Sequence, residues 1–186
     1  MKYFLIALLS IGLLSLAPAP SPTPEFAIVL HGGAGTILKR NLTSKREAAY
    51  AEALESVLKK GHQMLAEGRE ALDVVESCIH LLEENPLFNA GKGAVMTNQG
   101  KCELDASIMD GSNLDAGAVA GVTTVRHPIS AARAVMEKSP HVMLAREGAE
   151  SFAKENGLEM VDPEYFLTDK RKKQLKKAKD HESLKG

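Results

Sequence analysis

The hydrophobic pattern changes its period along the chain, and the resulting order of segments restricts the fold strongly. A short apolar run, residues 26–30, is typical of a buried strand. Two segments with helical spacing follow it, and Pro86 ends the second. Short β-prone pieces fill residues 94–125, and two further helical segments follow His127. Because strands and helices come in separate runs, the sequence predicts an α+β fold rather than alternating βαβ units.

The first two helices have defined predicted bounds. A capping box, Ser44-x-x-Glu47, predicts the start of the first helix, and Gly68 predicts its end. Gly61 lies inside this helix and weakens its predicted continuity. The second helix is predicted over residues 71–84, where apolar side chains at helical spacing form one stripe.

The second half of the chain is predicted to contain a small sheet and two more helices. Turn-forming residues divide residues 94–125 into a predicted meander of three antiparallel strands. The last helix is predicted to begin at Ser139-Pro140 and to end at Gly157. Lysine dominates the remaining residues, which predicts a solvated helix or a mobile tail without a ligand. A sheet this small is expected to be completed by strands from elsewhere.

The N-terminus has the composition of a secretory signal peptide followed by a proline-rich leader. Lys2 precedes an apolar run, residues 3–16, which is shorter than the ~20 residues that span a bilayer. We therefore expect an exported protein, periplasmic or secreted, with no permanent membrane anchor. The expected division of the chain is a leader over 1–24, a folded region over 25–168 and a lysine-rich linker over 169–186.

Charge and cysteine content exclude some classes of function. The net charge is −1 and aromatic residues make up 4% of the chain, so neither a basic field nor stacking platforms favour nucleic acid. Cys78 and Cys102 are the two cysteines. Free buried thiols are the commoner reading of so sparse a pattern, although export would permit a disulfide.

No common catalytic or metal motif is complete in the sequence. Lys92 follows a glycine, but the phosphate-loop spacing G-x-x-x-x-G-K-[ST] is absent. The histidines are scattered without a zinc spacing. Asp105, Asp110 and Asp115 recur every fifth residue, which favours turn capping over a calcium loop. No serine or cysteine lies in a recognisable nucleophile motif.

Several ordered motifs together resemble the plant-type L-asparaginases, also called isoaspartyl peptidases. The resemblance covers about residues 26–169, and the combination is far more specific than any single motif. The segments that carry it are FAIVLHGGAG, ALDVVESCIHLLEENPLFNAGKGAV, ELDASIMDG, AGAVAGV and PISAARAVMEKSPHVML.

This resemblance implies a threonine-type N-terminal-nucleophile hydrolase with a four-layer αββα sandwich. Such enzymes cut their own precursor between a glycine and a threonine, and the new N-terminal threonine of the β subunit is the nucleophile. By this resemblance the chain is an α subunit, inactive alone, whose cleavage site is Gly186. The implied partner is a β subunit from the same precursor, in a dimer of αβ heterodimers. The implied substrates are L-asparagine and isoaspartyl dipeptides.

The resemblance also assigns supporting residues to this chain. Asn89 corresponds to an asparagine beside the nucleophile, although a loop amide that satisfies backbone groups is the alternative. A flexible loop associated with autoprocessing corresponds to His31, Gly32, Gly33, Ala34 and Gly35. Glycine permits a conformational switch there, and a static tight turn is the simpler alternative.

A structural sodium ion is the further implication, with no cofactor for the chemistry. Main-chain carbonyls suit a hard cation. Lys92 departs from the apolar residue common at its position, and its ammonium group weakens cation binding unless it points away. The carbonyls implied to bind sodium belong to Leu82, Glu83, Asn85, Phe88, Ala90 and Lys92.

Two rival interpretations remain at this point. A glycosylasparaginase-like amidase shares the nucleophile chemistry and part of the glycine-rich region. A noncatalytic secreted binding module would use the glycine loops only to shape a pocket. The residue encoded after Gly186 separates the hydrolase from the binding module, because the hydrolase requires threonine there.

Overall fold

A computed structural model describes residues 26–33 and 42–183 of the chain. The predicted leader, residues 1–24, lies outside the described residues, as do Ala34, Gly35 and Gly186. The described elements, in chain order, are α1 Ser44–Ala66, α2 Ala71–Glu83, β1 Leu104–Met109, β2 Ala116–Val122, α3 Pro128–Lys138, β3 Met143–Ala145, α4 Arg146–Glu155, a 3-10 turn Pro163–Phe166 and α5 Asp169–Ser183. This is an α+β architecture with one small sheet.

The sheet has the order β1-β2-β3, with β1 antiparallel and β3 parallel to β2. The predicted three-stranded meander is therefore wrong in its third strand. Upstream of β1, the only described pairing is an isolated bridge between Met96 and Cys102. The third strand instead follows Ser139, which caps the C-terminus of α3 because its hydroxyl donates to the Val135 carbonyl at 2.9 Å. The helix predicted to begin at Ser139-Pro140 is α4, and it starts at Arg146 instead.

The apolar run at residues 26–30 is not paired as a strand in the described part of the chain, so that prediction is also wrong. Ile28 and Leu30 pack against the cluster formed by α1 and α2, whereas Val29 is 93% exposed. The alternation of half-buried and exposed side chains fits extended backbone. What the segment lacks is a neighbouring strand among the described residues.

Helix α1 is continuous through Gly61. The glycine lets neighbouring elements approach the helix closely. A Cβ atom at Gly61 would lie 2.8 Å from the Cys78 sulfur on α2 and would also strike Ile28. The helix begins one residue earlier than the capping-box prediction, since Thr43 is the N-cap and its hydroxyl accepts from the Arg46 N–H at 3.3 Å. Gly68 follows the helix end with a φ of 77°, as predicted.

The larger core lies between the sheet and α3. Gly117 on β2 allows this contact, because a Cβ atom there would lie 2.5 Å from the Met136 nitrogen on α3. Ile108 and Val119 are buried on the same face of the sheet. The smaller core joins α1, α2 and Phe88.

The opposite face of the sheet carries small side chains and is open. Ser107 pairs with Ala118 across β1 and β2, and Ala118 pairs with Met143 on β3. These residues line a shallow depression of about 470 Å³, together with Asp105. Met143 is 56% exposed beside it. One face of the sheet is thus packed and the other is bare.

Helix α5 forms over most of the predicted linker and is docked at its first turns. The Arg171 Nε donates to the Gly93 carbonyl at 2.7 Å. None of the described helices is both long and apolar enough to cross a membrane. Cys78 and Cys102 are buried free thiols, which confirms the unpaired reading.

Candidate functional site

The loop after α2 folds back on the end of that helix. The Lys92 N–H donates to the Glu83 carbonyl at 2.7 Å, which closes the loop into a ring. Gly91 has no room for a side chain, since a Cβ atom there would lie 2.6 Å from the Glu83 carbonyl oxygen. Gly93 has a φ of 89°, a conformation that L-residues rarely adopt. Lack of space at Gly91 and the positive φ of Gly93 therefore explain why these two positions are glycine.

Asn89 lies at the outer side of this loop and is exposed. It lines a cavity of about 240 Å³ together with Glu103 and Asp105 at the start of β1. Asp105 also lines the depression on the bare face of the sheet. The amide predicted to support a nucleophile thus lies where the loop meets the open face.

The segment of His31, Gly32 and Gly33 lies against the same loop. A Cβ atom at Gly33 would lie 3.8 Å from the Asn89 Oδ1, and one at Gly32 would lie 3.6 Å from the Phe88 ring. The Gly33 N–H donates to the His31 Nδ1 at 3.2 Å, and Gly33 has a φ of 92°. The structure therefore brings together the described part of the predicted autoprocessing loop and Asn89.

Several carbonyl groups of the loop are available to a cation. In the part of the chain that the structure describes, no hydrogen bond reaches the carbonyls of Phe88, Ala90 or Lys92. The Glu83 and Asn85 carbonyls accept from the Lys92 and Phe88 N–H groups, at 2.7 and 3.0 Å. A carbonyl oxygen has two lone pairs, so these two groups retain acceptor capacity. The donor set fits a hard cation such as sodium.

The Lys92 ammonium group points towards an aromatic ring. Its Nζ lies 5.1 Å from the centre of the Tyr165 ring, a cation–π contact. The Tyr165 hydroxyl donates to the Glu84 Oε2 at 2.5 Å, and the Arg126 Nε donates to the Glu84 Oε1 at 2.9 Å. Burial works to raise the pKa of Glu84, but these hydrogen bonds outweigh it and leave the pKa lowered. An ionised Glu84 thus anchors the ring that holds the lysine.

A second group of polar side chains joins the end of α2 to the start of α3. Glu83 is 3% exposed, and its Oε1 accepts from the Ile129 N–H at 3.0 Å. The Glu83 Oε2 lies 2.8 Å from the His127 Nδ1. His80 stacks on His127 with ring centres 4.0 Å apart, and its Nε2 lies 2.7 Å from the Ser130 Oγ. Burial raises the pKa of Glu83 and lowers the pKa of His80.

Sequence reasoning missed this group. His80 and Glu83 are three residues apart on one helix and therefore share a face, which is the only local signal. His127 joins them only through the packing of α3 on α2. No spacing rule on a single sequence relates positions so far apart.

The aspartates of the glycine-rich region mainly satisfy backbone groups. The Asp110 Oδ1 accepts from the Ser112 N–H, and the Asp115 Oδ2 accepts from the Asn113 amide, both at 2.8 Å. Asp105 accepts a backbone hydrogen bond from β2 at 2.8 Å. These contacts support the turn-capping interpretation for Asp110. Among the described residues, the Asp115 carboxylate bonds only to the Asn113 side chain, and the Asn113 Oδ1 accepts the Asp115 N–H at 2.8 Å.

The sequence matches known proteins over most of its length. A family model described as asparaginase matches residues 24–185. An isoaspartyl peptidase of Escherichia coli strain K12 is 53% identical over 152 residues, which are 82% of this chain and 47% of that protein. An isoaspartyl peptidase of Salmonella typhimurium is 51% identical over 152 residues, 82% of this chain and 49% of that protein. A plant-type L-asparaginase of Pyrococcus abyssi is 47% identical over 154 residues, 83% of this chain and 48% of that protein. The chain therefore spans about half the length of the curated relatives it matches.

Proposed function

Because this chain belongs to the asparaginase family, we propose that it forms one part of an N-terminal-nucleophile amidohydrolase that acts on L-asparagine and isoaspartyl dipeptides. The relatives described above are isoaspartyl peptidases and an L-asparaginase. Their names favour this activity over a glycosylasparaginase-like amidase or a noncatalytic secreted binding module. The family implies the N-terminal-nucleophile hydrolase fold, and the described chain has the α+β character expected of part of it.

The proposed assembly is a four-layer αββα sandwich in which a second sheet covers the bare face of β1, β2 and β3. Helices α3 and α4 pack on the sheet, whereas the face that carries Ala118 is open among the described residues, and a four-layer sandwich covers both faces. Small side chains such as Ala118 and Ala120 on the other side would let a second sheet approach closely. The covering strands belong to a β subunit released from the same precursor after Gly186, and two αβ units form a dimer.

The proposed chemistry uses a threonine that this chain does not supply. The hydroxyl of the N-terminal threonine attacks the substrate carbonyl, and its own amine accepts the hydroxyl proton. The amine of the scissile amide or peptide bond leaves with a proton, and an aspartyl ester forms on the threonine. Water then hydrolyses the ester and restores the hydroxyl.

Asn89 is the residue of this chain that we assign to the active site. One observation carries the assignment: its exposed amide lines a polar cavity where the glycine loops meet the open face of the sheet. A covering β subunit would place its N-terminus against this cavity. The Asn89 amide can both donate and accept a hydrogen bond, so it can orient the threonine or the substrate. We class it as a positioning residue.

The test uses the full-length gene product. We expect two fragments on a denaturing gel, a second fragment that starts with threonine, and hydrolysis of an isoaspartyl dipeptide. Asn89→Ala should slow processing or turnover, while Asn98→Ala, an exposed amide in a neighbouring turn, should not. An intact, inactive product of the unmodified gene would overturn the proposed function. Unchanged processing and turnover in Asn89→Ala would overturn only the role of Asn89.

We also propose the structural sodium site. The residues whose carbonyls form it are Leu82, Glu83, Asn85, Phe88, Ala90 and Lys92. Bound sodium would hold the loop that carries Asn89 in its ring conformation. A ligand that binds only the folded state raises the unfolding temperature. We expect sodium chloride to raise it more than choline chloride at equal ionic strength, and equal effects of the two salts would contradict the site.

Export is the remaining proposal, and it rests on the composition of residues 1–24. Cell fractionation of the full-length protein should recover the product outside the cytoplasm with the leader removed. Recovery in the cytoplasm with an intact N-terminus would contradict it.

A further inference from the structure

The strongest cluster of metal-binding side chains lies away from the proposed substrate cavity, between α2 and α3. One ligand atom from each of His80, Glu83 and His127 lies within 4.8 Å of the other two. Two of these residues are one turn apart on α2, and the third is the N-cap of α3. Two imidazoles and a carboxylate form a common ligand set for zinc. Zinc sites with three protein ligands hold a water molecule in the fourth position.

From this arrangement we propose that His80, Glu83 and His127 bind a zinc ion that clamps α2 to α3. The proposal is independent of the sodium loop, which uses main-chain oxygens, and of the proposed hydrolase activity. Its basis is the charge of Glu83, the spacing of the donor atoms and the support behind each ligand.

The carboxylate of Glu83 has no guanidinium or ammonium partner among the described residues. It is 3% exposed, and its hydrogen-bond partners are the His127 ring and the Ile129 N–H. The two arginines nearby are used by other carboxylates, Arg126 by Glu84 and Glu159 and Arg133 by Asp73, Glu76 and Glu137. Among the described residues, the His127 ring is therefore the one side chain that can neutralise this buried carboxylate. Burying a carboxylate is costly, so a divalent cation would find charge to neutralise there.

The donor spacing already suits two of the three ligands, and the third must rotate. Zinc binds imidazole nitrogen and carboxylate oxygen at about 2.0–2.2 Å, which places two such ligands roughly 3 Å apart. The His127 Nδ1 and the Glu83 Oε2 are already 2.8 Å apart. The His80 side chain is 35% exposed, and its ring must leave the stack on His127 and the contact with Ser130 to turn a nitrogen towards them. Zinc replaces the proton that the His127 ring and Glu83 share, and this proton is released to solvent.

The groups behind the ligands are also in place. The Ile129 N–H fixes one oxygen of Glu83 and leaves the other for the metal. On zinc binding, Ser130 would lose its contact with the His80 Nε2 and would keep its hydrogen bond to Glu76, which is 2.5 Å long. Outer partners of this kind orient metal ligands and tune their affinity.

The test is zinc titration calorimetry on the full-length protein after removal of metals with a chelator. We expect one zinc per chain, proton release that depends on the buffer, and a higher unfolding temperature with zinc. His80→Gln and His127→Asn each remove a ligand, so each should weaken binding by at least the roughly 10–100-fold that the loss of an outer partner costs. Asn is a good N-cap, so the second change preserves the start of α3. His141→Asn is the matched control, because His141 is an exposed histidine outside the cluster.

Wild-type affinity in His80→Gln, or equal losses in His141→Asn, would overturn the proposal, as would a wild-type protein that binds no zinc. Should His127→Asn fail to fold, His80→Gln decides alone, since its part-exposed side chain lies on a helix surface. Hydrolytic activity plays no part in this test, so its result is independent of the proposed function.

Discussion

Gly61 shows how one missing side chain decides the packing of α1. A Cβ atom at this position would lie 2.8 Å from the Cys78 sulfur and would also strike Ile28. We predict that Gly61→Ala lowers the free energy of unfolding by about 1–3 kcal/mol, because overpacking outweighs the gain in helix propensity. Gly148→Ala is the control, since it is also helical and has nothing within 4 Å. It should stabilise by roughly 0.5–1 kcal/mol in the same urea titration. Equal effects of the two changes would contradict the packing argument.

Local motifs in the sequence single out residues that lie together in the structure, whereas side chains that meet only through packing leave no local motif. Asn89 and the segment from His31 to Gly33 were identified from motifs, and the structure brings them together. His127 belongs to no histidine spacing that is typical of a zinc site. Its contacts with Glu83 and His80 depend on the approach of two helices, which no short spacing encodes.

At the element scale, the helices were predicted better than the strands. The second helix was predicted over residues 71–84 and is observed as Ala71–Glu83. Helical periodicity and proline stops act within one element, so they can be read locally. Strands depend on a partner: β3 pairs parallel to β2 from a segment that local signals assigned to a helix. Residues 26–30 have a strand pattern but no partner strand in the described ranges.

Helix α5 depends on docking more than on its own sequence. Its fifteen residues are mostly charged and exposed, and an isolated helix of this length is marginal in water. The Arg171 Nε holds its first turns to the Gly93 carbonyl at 2.7 Å. We predict that Arg171→Ala speeds hydrogen exchange of the α5 amides at least about tenfold, equivalent to about 1.4 kcal/mol. Lys173→Ala, an exposed neighbour, should change it little. Unaltered exchange in Arg171→Ala would show that other contacts dock the helix.

At the scale of the whole molecule, the chain has a sheet with one packed face and one bare face. The packed face holds Ile108 and Val119 beneath α3. The bare face presents Ala118 and leaves Met143 more than half exposed. The chain also spans about half the length of its relatives. A second sheet over the bare face would explain both observations and would close the cavity beside Asn89.

This proposal predicts a specific effect of placing a charge on the bare face. Ala118 is at the centre of β2 and points away from α3. Ala118→Arg should leave the core under α3 intact, because the new side chain extends into the open depression. In the full-length protein, however, a covering sheet would bury the guanidinium without a partner, at a cost of several kcal/mol. The precursor should then remain uncut and should not hydrolyse an isoaspartyl dipeptide.

The control for this change is Glu155→Arg, which places the same side chain on an exposed position of α4. It should be processed and should hydrolyse the dipeptide as the unmodified protein does. Gel analysis of the precursor and a dipeptide assay measure both variants. If Ala118→Arg is cut and active like its control, the bare face stays solvent-exposed in the mature enzyme. The nucleophile would then have to reach Asn89 without a second sheet over β2, and the four-layer arrangement would be excluded.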